Sequence, residues 1–206
     1  MRTKRANFTN YSDKHCNPNK TREFRELLGQ AFGVIDLSSF PEIATPEEAG
    51  RTSEENAILK AIAASKQLPS LVIADDSGLE VDALGGAPGV FSARYAGENA
   101  GDVSNVDKLL RELRKQNIAT EKRSARFRCV IALAQNGKLL GVFEGFVEGK
   151  IVDPPRGSAG FGYDPIFEPK GFDQTFAEIT PESKNKISHR GQAIAALRKA
   201  LREIEN

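Results

Sequence analysis

Two adjacent carboxylates, Asp75 and Asp76, follow the apolar run Leu71-Val72-Ile73-Ala74 and precede Ser77-Gly78. Bounded by Pro69 on one side and by this Asp-Asp-Ser-Gly stretch on the other, the run reads as a short buried strand that ends in a turn. Carboxylates at the end of a buried strand are costly unless they hold a cation, accept hydrogen bonds or act as bases, and hard oxygen ligands suit magnesium. Adjacent side chains on an extended strand point to opposite faces, so one of the two does chemistry and the other supports it. Taken alone, the four residues are equally well explained as a turn in which Asp and Ser bond the local backbone.

Other stretches carry polar groups in settings that suit a ligand. Leu84-Gly85-Gly86-Ala87-Pro88-Gly89-Val90, followed by Ser92-Ala93-Arg94-Tyr95, is dense enough in glycine to bring backbone close to a bound molecule or simply to turn at the surface. Gly160-Phe161-Gly162-Tyr163-Asp164-Pro165 sets two aromatics and a carboxylate between glycines, which suits stacking a planar base and bonding its edge; a hydrophobic loop anchor is the plainer account. Ser188 reads as a helix N-cap that puts His189 and Arg190 in the first turn, where cations are disfavoured, so the two face a bound anion or an electron-rich base unless water alone solvates them. Lys184, just upstream, is a further phosphate candidate.

Helices and strands must place these groups. Phe24, Leu27 and Leu28 recur at helical spacing between Lys20 and Gly29. Thr52 with Glu55 resembles a capping box, opening a helix through Ala57, Ile58, Ala61 and Ile62 that carries Lys60 and ends before Pro69. Val106, Leu109, Leu110 and Leu113 mark a third helix, and Ala125–Ala134 with Leu139–Val147, joined by Asn136-Gly137, read as a hairpin. Gly145–Gly162, rich in glycine and proline, reads as loops over a cleft, and a last helix runs from Ser188 through Ile204. The expected fold is one α/β domain over residues 1–206, a mixed β-sheet flanked by helices and forming two lobes.

Composition narrows the partners. The 206 residues are 39% hydrophobic and 28% charged, enough for a sizeable core. Lysine plus arginine (29) nearly balance aspartate plus glutamate (28), which argues against a nucleic acid polymer or an anionic membrane as partner. No apolar run nears the roughly 20 residues of a membrane span, and the polar N-terminus lacks a secretory signal, so a cytoplasmic location is expected. Cys16 and Cys129 are too few for a disulfide framework.

With these motifs assembled, the chain resembles the inosine triphosphate pyrophosphatases, also called non-canonical purine or XTP/dITP diphosphatases. The resemblance runs from about Asn17 onward through Ser53-Glu54-Glu55-Asn56-Ala57-Ile58-Leu59-Lys60, Ala74-Asp75-Asp76-Ser77-Gly78-Leu79, Gly85-Gly86-Ala87-Pro88-Gly89, Ser92-Ala93-Arg94-Tyr95, Gly160-Phe161-Gly162-Tyr163-Asp164-Pro165 and Ser188-His189-Arg190-Gly191. It implies an elongated mixed sheet joining two lobes with the nucleotide in the cleft between them, a homodimer, and Mg2+-dependent hydrolysis of ITP, dITP or XTP to the monophosphate and pyrophosphate. By the same resemblance, Asp76 is the catalytic aspartate and a metal ligand, and Glu47, beside Glu48, is the second acidic ligand. Asn17, Lys20, Lys60 and Lys184 match triphosphate contacts, Ser77 a substrate contact, Phe161, Gly162, Tyr163 and Asp164 the base segment, and His189 with Arg190 residues near the base. A donor from His189 or Arg190 would reward the 6-oxo group of hypoxanthine or xanthine and mismatch the adenine amino group.

One segment departs from the family pattern. Where the family has an apolar strand and Thr-Gly-Asn-x-x-Lys, this chain reads His15-Cys16-Asn17-Pro18-Asn19-Lys20, and Asn7–Lys14 is too polar for a buried central strand. Residues 1–16 are therefore atypical, either altered as a block or a genuine variant. A nucleotide-binding protein with impaired catalysis is the alternative function that this departure supports.

Overall fold

The computed structural model describes residues 7–11, 18–29, 32–36, 39–40, 43 and 50–204. Asn17, Glu47 and Glu48, together with His15 and Cys16, lie outside the described residues. The chain runs β1 (Asn7–Tyr11), α1 (Pro18–Leu28), β2 (Gly33–Asp36), α2 (Ser53–Ser65), β3 (Leu71–Val81), α3 (Asp102–Lys115), β4 (Ser124–Gln135), β5 (Lys138–Ile151), β6 (Phe167–Pro169), α4 (Pro181–Ile187) and α5 (His189–Ile204). The strands form one mixed sheet in the order β2-β1-β3-β4-β5-β6, with β1 parallel to both β2 and β3 and β5 antiparallel to β6. This is the α/β class with a helix-flanked mixed sheet that the pattern predicts.

Contacts divide the chain into two compact units. The first comprises Met1–Asp76, Cys129–Gly145 and Arg190–Asn206, and the second Ser77–Arg128 and Phe146–His189. In the first unit, strand alternation sorts the apolar residues onto two faces. Ile73, Cys129, Ile131 and Leu133 pack with Phe24 and Leu28 of α1 and with Ala193, Ile194, Leu197 and Leu201 of α5. Val72, Ala74, Val130, Ala132 and Ala134 pack with Ala57, Ala61 and Ala64 of α2. The second unit has its own core, in which Leu79, Val81, Phe127 and Ile151 meet Val106, Leu109, Leu110 and Leu113 of α3 and the aromatics Tyr163, Phe167 and Phe176.

Local chemistry explains most element ends. Gly29, at φ 74°, stops α1 in the left-handed conformation. Thr52 caps α2 by accepting from the Glu55 N–H, while the Glu55 carboxylate accepts from Arg51 N–H at 2.6 Å, one residue earlier than the reciprocal bond of a standard capping box. Asn136 and Gly137, at φ 51° and 75°, make the two-residue turn between β4 and β5.

Four expectations are corrected. Asn7–Tyr11 does form a strand, inside the sheet between β2 and β3; ladder hydrogen bonds come from the backbone whatever the side-chain polarity, and Phe, Thr and Tyr are β-prone types. β3 does not end at the aspartates but runs through Asp75-Asp76-Ser77-Gly78 to Val81. Gly78 serves close approach, not a turn: a Cβ there would overlap the Gly89 carbonyl oxygen and stand 3.1 Å from Ser92 Oγ. β5 likewise continues to Ile151, so the loops begin only after it; Gly149 is tolerated mid-strand because the Glu168 carbonyl oxygen and the Phe167 ring fill the space a side chain would take. Finally, a separate helix, α4, precedes the last one, capped by Thr180, whose hydroxyl accepts from Ser183 N–H. Among the described residues no helix is long and apolar enough to cross a membrane.

Candidate active site

The alternation that sorts the core also separates the two aspartates. Asp75 falls on the face of β3 shared with Ile73, toward α1 and α5; Asp76 falls on the face of Val72 and Ala74, toward α2. Each therefore meets different cations. Asp75, fully buried, lies 3.2 Å from Lys20 Nζ of α1 and 3.6 Å from the Arg190 guanidinium of α5. Asp76 lies 3.4 Å from Lys60 Nζ of α2.

Lys60 is only 1% exposed, and its ammonium also donates to the Asp75 carbonyl oxygen at 2.8 Å. That shorter bond anchors the ammonium to backbone and leaves the longer contact to the Asp76 carboxylate. Asp76 Oδ1 takes this contact, whereas Asp76 Oδ2, enclosed by protein, has no hydrogen-bond partner among the described residues. A buried carboxylate oxygen without a partner costs roughly 1–3 kcal/mol or more, a cost that a ligand removes. Asp76 thus keeps acceptor capacity for a cation or a water.

Arg190 is also buried, and it hydrogen-bonds Glu23 of α1 as well as facing Asp75. Burial works against its charge, but the Glu23 and Asp75 carboxylates outweigh burial and hold the guanidinium more firmly protonated than usual. The positive charge in the first turn of α5 is thereby offset by the protein's own carboxylates. Glu23 escaped the sequence reading, although it shares a helix face with Lys20, Phe24 and Leu27 at the spacing of a buried stripe. A charged residue on such a stripe was the available signal.

In the second unit a different cluster forms around Phe161. Asp164, 3% exposed, accepts from the Phe161 N–H at 2.9 Å and from Lys184 Nζ at 2.6 Å through the same oxygen. The Lys184 ammonium also lies 4.8 Å from the Phe161 ring centroid and 5.6 Å from that of Phe176. Lys184, grouped by resemblance with the triphosphate contacts, is engaged here with the base segment. Gly160 and Gly162 hold φ 77° and 62°, and a Cβ on Gly160 would collide with the Asp164 carboxylate.

Of the two aromatics expected to stack a base, only Phe161 keeps partial exposure. Tyr163 is buried in the core and donates its hydroxyl to the Ser92 carbonyl oxygen at 2.9 Å. Burial, with Tyr95 and Asp102 adding, raises its pKa well above the ordinary phenol value, so it stays a donor. Ser92 ties the same region to β3, accepting from Leu79 N–H at 2.9 Å and donating to the Gly89 carbonyl oxygen. His189 is buried with its ring stacked on Phe127 at 4.8 Å and 10°. Ser77, half-buried, follows Asp76 directly in β3. Asp102 was missed in sequence because it acts through a contact 60 residues away, for which short-range spacing has no signal.

Among the described residues no group of three or more His, Cys, Asp or Glu side chains is placed to hold a metal ion. The donor chemistry of Asp76, a buried hard oxygen without a partner, nevertheless fits a magnesium ion that takes one or two carboxylates and completes its shell with water and phosphate oxygens.

Comparison with known proteins places this geometry among relatives. A sequence model of the Ham1 family matches residues 16–200, beginning one residue before Asn17. The dITP/XTP pyrophosphatase of Bacillus subtilis is 50% identical over 186 residues, covering 90% of this chain and 93% of its own length. The dITP/XTP pyrophosphatase of Desulfotalea psychrophila is 49% identical over 189 residues, covering 91% of this chain and 83% of its own. Among solved structures, a HAM1 protein from Coxiella burnetii matches with a TM-score of 0.84 at 44% identity, covering 96% of this chain and 98% of that one. The Ham1 protein of Staphylococcus aureus matches with a TM-score of 0.82 at 44% identity, covering 97% and 100%.

Proposed function

The chain belongs to the Ham1 family, and on that premise we propose that it hydrolyses non-canonical purine nucleoside triphosphates, ITP, dITP and XTP, to the monophosphate and pyrophosphate. The name shared by relatives that are about half identical over nine-tenths of the chain supports the substrate class. The buried Oδ2 of Asp76, without a hydrogen-bond partner among the described residues, is the single structural observation that carries the chemistry.

Asp76 is the catalytic carboxylate, orienting and deprotonating the attacking water and serving as a metal ligand, with Glu47 as the second acidic ligand. Magnesium, when bound, would neutralise phosphate charge and acidify a coordinated water. Lys60 and Lys20 stand on either face of β3 beside the aspartates, already held by Asp75 and Asp76. Prepaired ammonium groups need little reorganisation when charge develops on the phosphoryl oxygens. Asn17 and Ser77 complete the substrate contacts.

Phe161 stacks the base, with Gly162, Tyr163 and Asp164 shaping the segment around it. Because the Arg190 guanidinium is held by Glu23 and Asp75, the donor that rewards a 6-oxo purine is His189, and Arg190 serves by holding Asp75. The protein acts as a homodimer in the cytoplasm, where the nucleotide pool lies.

Pyrophosphate release is the test. With magnesium, the protein is expected to release pyrophosphate from ITP, dITP and XTP well ahead of ATP, GTP and the pyrimidine triphosphates, and Asp76→Asn is expected to abolish release while leaving the fold intact. No release from the first three overturns the proposal; tight binding of ITP without release favours a nucleotide-binding protein instead, the outcome that the atypical sequence at His15-Cys16 would produce.

A further inference from the structure

Phe161 offers its ring from a turn that has little intrinsic rigidity. Glycines flank it at positions 160 and 162, both at positive φ, and glycine gives up more conformational freedom on ordering than any other residue. What holds such a turn must lie outside it. Two consecutive amides emerge from the turn, and each meets a carboxylate of the protein. The Phe161 N–H donates to Asp164, whose oxygen also binds Lys184. The Gly162 N–H donates to Asp102 Oδ2 at 2.7 Å.

Asp102 stands in the first turn of α3, where the helix dipole favours a negative charge. The N-cap position before it is Gly101, which has no side chain to cap the helix. An aspartate at this place would ordinarily turn to the helix's own N–H groups; here its oxygen reaches 60 residues along the chain to the turn beside Phe161. The same turn is tied on its other side by Tyr163, whose hydroxyl bonds Ser92. Asp164 and Tyr163 are buried and fixed by the core, so Asp102 is the exposed and adjustable member of the set.

We infer that Asp102 is a positioning residue for base recognition, a latch that fixes the Gly160–Gly162 turn and thereby the face that Phe161 presents to a purine. The inference rests on the base-stacking role proposed for Phe161. Asp102 touches neither base nor phosphate in this account; it lowers the ordering that binding would otherwise require.

The test compares the wild type with Asp102→Ala and Asp102→Asn, without added metal so that nothing is hydrolysed. Three quantities are read: the hydrogen-exchange rate of the Gly162 amide, the affinity for inosine triphosphate, and the affinity for inorganic tripolyphosphate, which has no base. The bond is charge-assisted but solvent-exposed, so Asp102→Ala should weaken inosine triphosphate by about threefold to tenfold. Exchange at Gly162 should quicken by about tenfold, and tripolyphosphate affinity should not change. Asp102→Asn keeps an oxygen acceptor and should restore both affected quantities to near wild type.

Equal weakening of inosine triphosphate and tripolyphosphate by Asp102→Ala would show a general structural effect and overturn the inference, as would unchanged exchange at Gly162 or unchanged inosine triphosphate affinity. A wild type that binds no inosine triphosphate overturns it as well. The two proposals fail separately: a wild type that binds but never hydrolyses removes the hydrolase reading and leaves the latch, whereas an active enzyme indifferent to Asp102→Ala removes the latch alone.

Discussion

Replacing Arg190 by methionine separates the two roles that can be assigned to that residue. In the structure the guanidinium is 2% exposed and holds two carboxylates, Glu23 and Asp75, in the first unit. Arg190→Met leaves Asp75 its contact with Lys20 but takes the guanidinium from Glu23, whose side chain is 9% exposed. Removing one partner of a buried ion pair costs about 3–5 kcal/mol, because the remaining charge stays desolvated. For a chain of this size each kcal/mol moves Tm by about 2–4 °C, so the expected fall is about 6–20 °C. Thermal unfolding followed by circular dichroism reads it. Adding Glu23→Leu to Arg190→Met should recover part of the loss, since the stranded charge is then gone and two facing apolar groups replace it. A fall of less than about 2 °C would refute the buried-pair account; if the same variant raised KM for ITP selectively at unchanged Tm, Arg190 would be a base contact.

Gly78→Ala should destabilise by about 1–3 kcal/mol, because its Cβ would meet the Gly89 backbone rather than a movable side chain; a urea midpoint equal to wild type would disprove the close approach. Tyr163→Phe should cost about 1 kcal/mol by leaving the Ser92 carbonyl without its donor, read in the same titration. The hydrogen bond from Arg114 is the main cause holding the Asp153 carboxyl below its ordinary value of 3.8, with Arg123 adding and burial opposing. A depressed folded-state pKa stabilises above the unfolded value and is lost as pH falls through the folded one, so Asp153→Asn should be less stable than wild type near pH 7 and the gap should close below pH 3.8; a gap that persists in acid contradicts the assignment.

Periodicity revealed what repeats, and missed what depends on contacts between distant segments. The α2 cap at Thr52, the Asn136-Gly137 turn and the apolar stripe of α3 are local signals, and all stand where their spacing puts them. The end of β3 was misplaced because Asp-Asp-Ser-Gly has the composition of a turn. What keeps the strand extended lies elsewhere in the chain: Lys20, Lys60 and Arg190 neutralise the aspartates, and the Gly89 backbone needs the space beside Gly78. Tyr163 was read as a stacking surface on its type alone; its hydroxyl partner, Ser92, is 71 residues away. Asp76 was nominated by resemblance rather than by spacing, which had established only that the paired carboxylates face opposite ways.

That opposition now has an electrostatic content. Among the described residues the cluster in the first unit sets the carboxylates Glu23, Asp75 and Asp76 against the cations Lys20, Lys60 and Arg190. The cations are unevenly shared. Asp75 and Glu23 draw on Lys20 and Arg190, with the guanidinium bridging the two carboxylates. Among the described residues Asp76 pairs with Lys60 alone, and Lys60 is held closer to the Asp75 carbonyl, at 2.8 Å, than to the Asp76 carboxylate, at 3.4 Å. One residue of strand alternation therefore gives the two aspartates unequal shares of the described cations. A divalent cation bound at Asp76, as proposed above, would leave Lys20 and Arg190 in place beside Asp75. In the proposed reaction the backbone carbonyl that restrains Lys60 would count as part of the site, because it draws the nearer bond of an ammonium that stands beside Asp76.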